Sequence, residues 1–303
     1  MRKILKINGK DLEVLDKGTG SLPILILPGM GSSFDDWHEI IESLSGENRV
    51  IVFHRPGLGR SVIHNEKRTT EAVCREIIEL LEALQVDGKV LLAGHSYGGL
   101  CAQHFVKLHP GRTAGLVLID STSVHLEELD KLHLPVMDEQ ASDEVWLARC
   151  REYAALDRVS LMEIVKPALT PKQLQLPASV QKELLEFQVN PGLYQAMASE
   201  IEHWKEDARR IRELGKLPEL PLAVIGRDKE YSIERGVRGG LPEEEMIQFE
   251  EAWHNLIKEQ ALLAEGSTLV FADRASHSIH ADRGGLVSGI IANLAKTIKQ
   301  VKV

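Results

Sequence analysis

One stretch of the chain has a residue pattern able to do covalent chemistry. Lys89 to Leu108, KVLLAGHSYGGLCAQHFVKL, sets Ser96 between Gly94 and Gly98. The apolar run Val90 to Ala93 stops at Gly94-His95-Ser96-Tyr97-Gly98-Gly99 and resumes at helical spacing, a pattern that reads as strand, sharp turn and helix. A serine at the apex of such a turn sits in a strained backbone conformation. Glycines two residues before and after it remove Cβ atoms that would collide across the turn. This geometry projects the hydroxyl beyond the strand and aims the N–H of Tyr97 at the space in front of it, which is half of an oxyanion site. The plainer alternative is a surface turn in which Ser96 only caps a helix.

With this motif on a strand–turn–helix, the sequence resembles the α/β-hydrolase family, and the resemblance runs over nearly the whole chain apart from its middle third. It implies three further site residues. In the family, the loop after the strand matching Leu22 to Leu27 is usually His-Gly-x-Gly, and the residue after its first glycine donates the second oxyanion N–H. Here the loop is Pro28-Gly29-Met30-Gly31, so that donor is Met30. Pro28 stands where the histidine is usual, which leaves the main-chain donor intact and the side-chain bracing of the loop in question. The family's acid follows the seventh strand, here Leu220 to Ile225, which points to Asp228; Asp120, at the end of the preceding strand, is the rival, since some members carry the acid there. The family's histidine follows the last strand, which points to His277 in Asp273-Arg274-Ala275-Ser276-His277, with His280 as the alternative. The chain order Ser, Asp, His distinguishes this fold from other triad enzymes. A zinc site of the HExxH type is excluded at His277 because the glutamate is missing.

The elements that must position these residues are legible as apolar runs. Ile4 to Ile7 and Leu12 to Leu15 read as short strands around Asn8-Gly9. Leu22 to Leu27, Arg49 to Phe53, Val90 to Ala93, Ala114 to Ile119, Leu220 to Ile225 and Thr268 to Phe271 read as the rest of a mostly parallel eight-stranded α/β sheet. Helices are expected over Asp36 to Leu44, Thr70 to Leu84, Leu100 to Leu108, Pro242 to Ala264 and Leu286 to Val301. The stretch His54-Arg55-Pro56-Gly57-Leu58-Gly59-Arg60-Ser61 looks like the family's Asp-Arg-x-Gly-x-Gly-x-Ser, with His54 at the aspartate position and a structural role. It lacks the third glycine and the helix of a dinucleotide fingerprint. From 123 to 218 the pattern is helical and punctuated by Pro135, Pro167, Pro171, Pro177 and Pro191. The resemblance implies a helical cap there, inserted into a core of residues 1–122 and 219–303.

Composition narrows the partners. At 303 residues and 43% hydrophobic, the chain can bury a sizeable core. A net charge of −9 with no basic cluster argues against nucleic acid or an anionic membrane as partner, because Arg209, Arg210 and Arg212 lie among acidic residues. Three scattered cysteines fit a reducing cytoplasm better than a disulfide framework. The polar amino terminus and the absence of a spanning apolar run argue against a signal peptide and a membrane helix. The expectation is a serine hydrolase that cleaves a small-molecule carboxylic ester with no metal or cofactor. Lactone, amide or carbon–carbon cleavage, or a small-ligand receptor without turnover, are the alternatives.

Overall fold

The structure, a computed structural model, describes residues 1–7 and 9–301, so Asn8 of the expected Asn8-Gly9 turn lies outside the described residues. One eight-stranded sheet organises it, in the order β1-β2-β4-β3-β5-β6-β7-β8. Its strands are β1 Arg2–Ile7, β2 Lys10–Lys17, β3 Ile24–Leu27, β4 Val50–Phe53, β5 Val90–His95, β6 Thr113–Ile119, β7 Leu222–Arg227 and β8 Thr268–Ala272. β1 pairs with β2, and β2 with β4, in antiparallel fashion; all other pairings are parallel. β3 to β7 are buried along their whole length, which is why they read as unbroken apolar runs and not as alternating ones.

Helices cover both faces: α1 His38–Ser45, α2 Thr70–Ala83, α3 Tyr97–Leu108, α4 Pro135–Ala141, α5 Asp143–Ala154, α6 Arg158–Val165, α7 Ala178–Gln188, α8 Pro191–Glu213, α9 Lys229–Arg238, α10 Glu243–Ala261, α11 Ile279–Asp282 and α12 Gly284–Val301. On one face Ile77 of α2, Phe105 of α3, Ile211 of α8 and Ile257 of α10 pack against Leu92 and Leu118. On the other, Ile40 of α1 and Ile291 of α12 pack against Ile26 and Ala93. Expected elements appear within a few residues of their observed ends; the first turn of the helix expected at Asp36 is a 3₁₀ turn, Phe34–Trp37, that leads into α1.

Between β6 and β7 the described chain is helical from α4 to α8. The last two turns of the 23-residue α8 belong to the core itself, burying Ala208 and Ile211 against the sheet beside α2 and α3. Asp207 also accepts the N–H of Thr70, the first residue of α2, at 2.8 Å. Among the described residues no helix is long and apolar enough to cross a membrane.

Candidate active site

The parallel register makes a crevice at the carboxyl ends of β3, β5, β6 and β8, where open α/β sheets bind their ligands. Ser96 follows β5 directly and has φ +51° and ψ −124°, a conformation disfavoured for any residue with a Cβ. The turn is tight enough to require its glycines. A Cβ on Gly98 would lie 2.1 Å from the carbonyl oxygen of Leu27, and one on Gly94 would lie 2.6 Å from that of Gly98. Close packing of the elbow against the end of β3 thus brings Ser96 beside the Gly29-Met30 loop. Tyr97 is the first residue of α3, so its N–H has no intrahelical acceptor. Among the described residues, nothing accepts a hydrogen bond from the N–H of Tyr97 or of Met30.

His277 enters from the loop after β8. Its Nε2 lies 3.0 Å from Oγ of Ser96 and its Nδ1 2.6 Å from Oδ2 of Asp120. The carboxylate can only accept, so Nδ1 carries the proton and Nε2 is the free base facing the serine. His95 fixes the loop behind it: its Nε2 donates to the carbonyl oxygen of His277 at 2.8 Å. Burial, with the neighbouring His277 ring adding to it, pushes His95 down to about 3. It therefore remains a neutral donor throughout the physiological range. His280 is not part of this chain of contacts; it is buried and stacked on Trp37 at 4.6 Å.

The expectation for the acid is corrected here. Asp228 does not meet His277: its carboxylate caps the N-terminus of α9 by accepting the N–H of Tyr231 at 3.1 Å, and it also accepts the N–H of Arg274 at 2.8 Å. The position beside the imidazole belongs to Asp120, the rival. The reason is register. Ile119 pairs with Ile225, which leaves Asp120 one step past the end of β6, while β7 runs on two residues to Arg227 and carries Asp228 beyond reach. Asp120 is fully buried and has φ +39°, a second strained residue at the site.

Burial alone would raise the Asp120 carboxyl. The Arg227 guanidinium, the His277 ring and the Trp253 indole outweigh it and hold the group well below the usual carboxylate range. Arg227 donates to Asp120 from its backbone N–H and from Nη1, both at 3.2 Å, and Trp253 Nε1 donates at 3.0 Å. The charge of Arg227 is balanced in turn by Glu250, which accepts from Nε and Nη2 at 2.8 Å each. Arg227, Glu250 and Trp253 escaped the sequence reading, although Glu250 gave a signal. It shares the buried stripe of α10 with Met246, Ile257 and Ala261, where an acid is out of place without a partner.

His54 is a packed loop histidine. It is stacked on Phe34 at 3.8 Å, with Nδ1 2.8 Å from Glu13 and Nε2 accepting the N–H of Phe34 at 3.1 Å.

Two cavities meet at Ser96 and His277. One, of 670 Å³, runs under Met30 towards polar groups that include Asp36, Lys172, Gln173 and Asp282. The other, of 700 Å³, is lined by Leu126, Leu129, Leu134, Trp204, Phe249 and Trp253 and also by the charged side chains of Asp130, Asp138, Asp143, Glu144 and Lys205. Among the described residues, no group of three or more His, Cys, Asp or Glu side chains is placed to hold a metal ion.

Residues 23–155 match the family model described as alpha/beta hydrolase fold. Over 260 residues the chain is 25% identical to the dihydrolipoyllysine-residue acetyltransferase component of the acetoin cleaving system of Pseudomonas putida, a match covering 84% of this chain and 64% of that protein. The chain thus spans less than two thirds of that relative. Among solved structures it is similar to the enol-lactonase from Burkholderia xenovorans LB400, with a TM-score of 0.64 at 17% identity over 97% of this chain and 100% of that one. It is also similar to a thermophilic esterase from Thermogutta terrifontis, with a TM-score of 0.63 at 22% identity over 98% of this chain and 99% of that one. At such identities the likeness is one of fold.

Proposed function

We propose that this chain, which has the α/β-hydrolase fold and matches that family's model over residues 23–155, is a serine hydrolase that cleaves a small-molecule carboxylic ester through an acyl-enzyme. The observation that carries this reading is the continuous chain of contacts from Ser96 through His277 to Asp120, placed where two cavities meet. Oγ of Ser96 attacks the acyl carbon as its proton passes to Nε2 of His277. Asp120 keeps the ring oriented and stabilises the imidazolium that forms. The carbonyl oxygen becomes an anion received by the N–H groups of Met30 and Tyr97, a contribution of about 3 kcal/mol per donor in comparable sites. His277 then returns the proton to the leaving alkoxide, and a water repeats the sequence to release the acid.

Both cavities carry apolar and charged lining, so each offers an arm of the ester apolar contact together with polar groups that can orient it. In this reading α4 to α7 and the start of α8 serve as a cap over both cavities, with a core of residues 1–122 and 219–303, and the only partner the chemistry needs is the small molecule. A reducing, cytoplasmic location belongs to the same proposal and is supported by three free, buried thiols, Cys74, Cys101 and Cys150.

The test is labelling with a small fluorophosphonate together with turnover of a panel of nitrophenyl esters. Wild type should label and turn over, and Ser96→Ala should do neither. Wild type that binds the esters without turnover would point instead to a ligand receptor. Labelling that persists in Ser96→Ala would put the nucleophile elsewhere.

A further inference from the structure

The loop that offers the Met30 N–H lacks the side chain expected to brace it, since Pro28 stands there. The brace comes from another strand. Arg55, two residues past the end of β4 at Phe53, donates from Nη1 to the carbonyl oxygen of Pro28 at 2.8 Å and from Nη2 to that of Gly29 at 3.1 Å. The second contact bears directly on the chemistry. The C=O of Gly29 and the N–H of Met30 belong to one planar trans peptide and point in opposite directions, so fixing the oxygen fixes the aim of the N–H. The Ser32 N–H adds a weaker hold on the same oxygen at 3.3 Å. The guanidinium also lies over the ring of Tyr97, 5.3 Å from its centroid. One cation thus touches both the peptide that carries the Met30 N–H and the ring of Tyr97, the other proposed donor.

Arg55 is only 2% exposed and needs a counter-charge. It finds one in the inserted helices: Nε and Nη2 donate to the two carboxylate oxygens of Glu200 at 2.8 and 3.3 Å. Glu200 is itself fully buried, on the stripe of α8 formed by Leu193, Ala196, Asp207 and Ile211. A buried ion pair adds little net stability compared with apolar side chains of the same size, so a positional role accounts better for its presence. The same region is clasped by the start of α8. Asn190 Nδ2 donates to the carbonyl oxygens of Gly57 and Gly59 at 3.2 and 2.9 Å, and a Cβ on Gly57 would lie 2.6 Å from the carbonyl oxygen of Gly192.

We infer that Arg55, held by Glu200, is the positioning residue that aims the oxyanion loop, and that it makes the catalytic geometry dependent on the seating of α8. The inference rests on the serine-hydrolase reading above.

The test compares the charge-neutral double variant Arg55→Met, Glu200→Met and the single variant Arg55→Lys with wild type. Lysine keeps a cation opposite Glu200 but cannot span both carbonyl oxygens. Folding is checked by circular dichroism and thermal melting. Both variants should lose kcat on a nitrophenyl ester by about 10- to 100-fold with little change in KM, less than the about 100- to 1000-fold expected for outright removal of a donor. The inhibition constant of a trifluoromethyl ketone, whose adduct with Ser96 places an oxyanion in the site, should rise by the same factor. Wild-type kcat in either folded variant, or a change confined to KM, would overturn the inference; if the double variant fails to fold, the lysine variant decides. Ser96→Ala run in parallel separates the two readings. Turnover that depends on Ser96 yet ignores Arg55 refutes only the role of Arg55, whereas turnover that ignores Ser96 refutes the hydrolase reading itself.

Discussion

Nδ1 of His277 lies 2.6 Å from Oδ2 of Asp120, although the two residues are 157 positions apart in the chain. Asp120 receives this contact together with those of Arg227 and Trp253, so it enters the site already ionised and fixed. A carboxylate in that position acts by selecting the tautomer of the base, which gives it a distinctive mutational signature.

Asp120→Asn is expected to lower kcat by about four orders of magnitude with little change in KM, because the amide favours the wrong tautomer. Asp228→Asn should keep kcat within a few-fold of wild type, since asparagine still caps α9. Steady-state kinetics on one activated ester, with circular dichroism on each variant, checks both. The reverse ranking would return the acid to Asp228.

Ser96→Ala and His277→Ala should each abolish turnover by about a millionfold if nucleophile and base act as a unit, and the double variant should be hardly worse than either. Additive losses in the double variant would show that the two side chains act independently.

Leu129→Trp places a large ring in the cavity of 700 Å³, beside Leu126 and Leu134. It should raise KM for long-chain nitrophenyl esters at least about tenfold while sparing the acetate, because removing room for a few methylenes costs about 1–3 kcal/mol of binding. Equal effects on both ester lengths would show that neither arm of the substrate uses this cavity.

Asp36, in the cavity of 670 Å³, gives a prediction about pH and stability. Its carboxyl is raised from 3.8 to about 6 by burial, with the adjacent Asp35 adding to the rise and the hydrogen bond from Gln173 opposing it. Between these two values the folded chain holds a proton that the unfolded chain has lost, so this group makes stability fall as pH rises through that window and stay lower above it. Asp36→Asn removes the charge and should make the protein more stable than wild type at pH 8 by about 1–2 kcal/mol, the full two-unit shift being discounted for partial exposure, with no advantage at pH 4. Urea denaturation at both pH values measures it, and a difference independent of pH would exclude the charge as its origin.

Excising residues 123–218 as a block should impair catalysis as well as change which substrates are accepted, because Glu200 leaves with them and strands the Arg55 cation. A shorter excision of α4 to α7 alone, with α8 kept, is the variant expected to broaden substrate choice while Ser96 still reacts with a fluorophosphonate. Loss of that reaction in a folded short-excision variant would show that α4 to α7 also bear on the catalytic groups.

What the sequence determined by itself was local or nearly so. The elbow at Gly94-His95-Ser96-Tyr97-Gly98 is recognisable from five residues, although the contact that requires Gly98 comes from Leu27 of β3, and the buried parallel strands announce themselves as unbroken apolar runs. His277 was reachable because it follows the last strand directly. The acid was not, because Asp120 and Asp228 both follow apolar strands in the same way and only the register of Ile119 against Ile225 decides which one arrives level with the imidazole. A shift of two residues along a strand moves a side chain by about 7 Å, more than the length of a hydrogen bond, and no local pattern encodes it. Arg55, Glu200, Arg227 and Glu250 belong to the same class. Each is a charge that can be buried only where the fold supplies its opposite, from residues 145 positions away for Arg55 and Glu200 and 23 for Arg227 and Glu250. Tertiary structure alone makes those meetings.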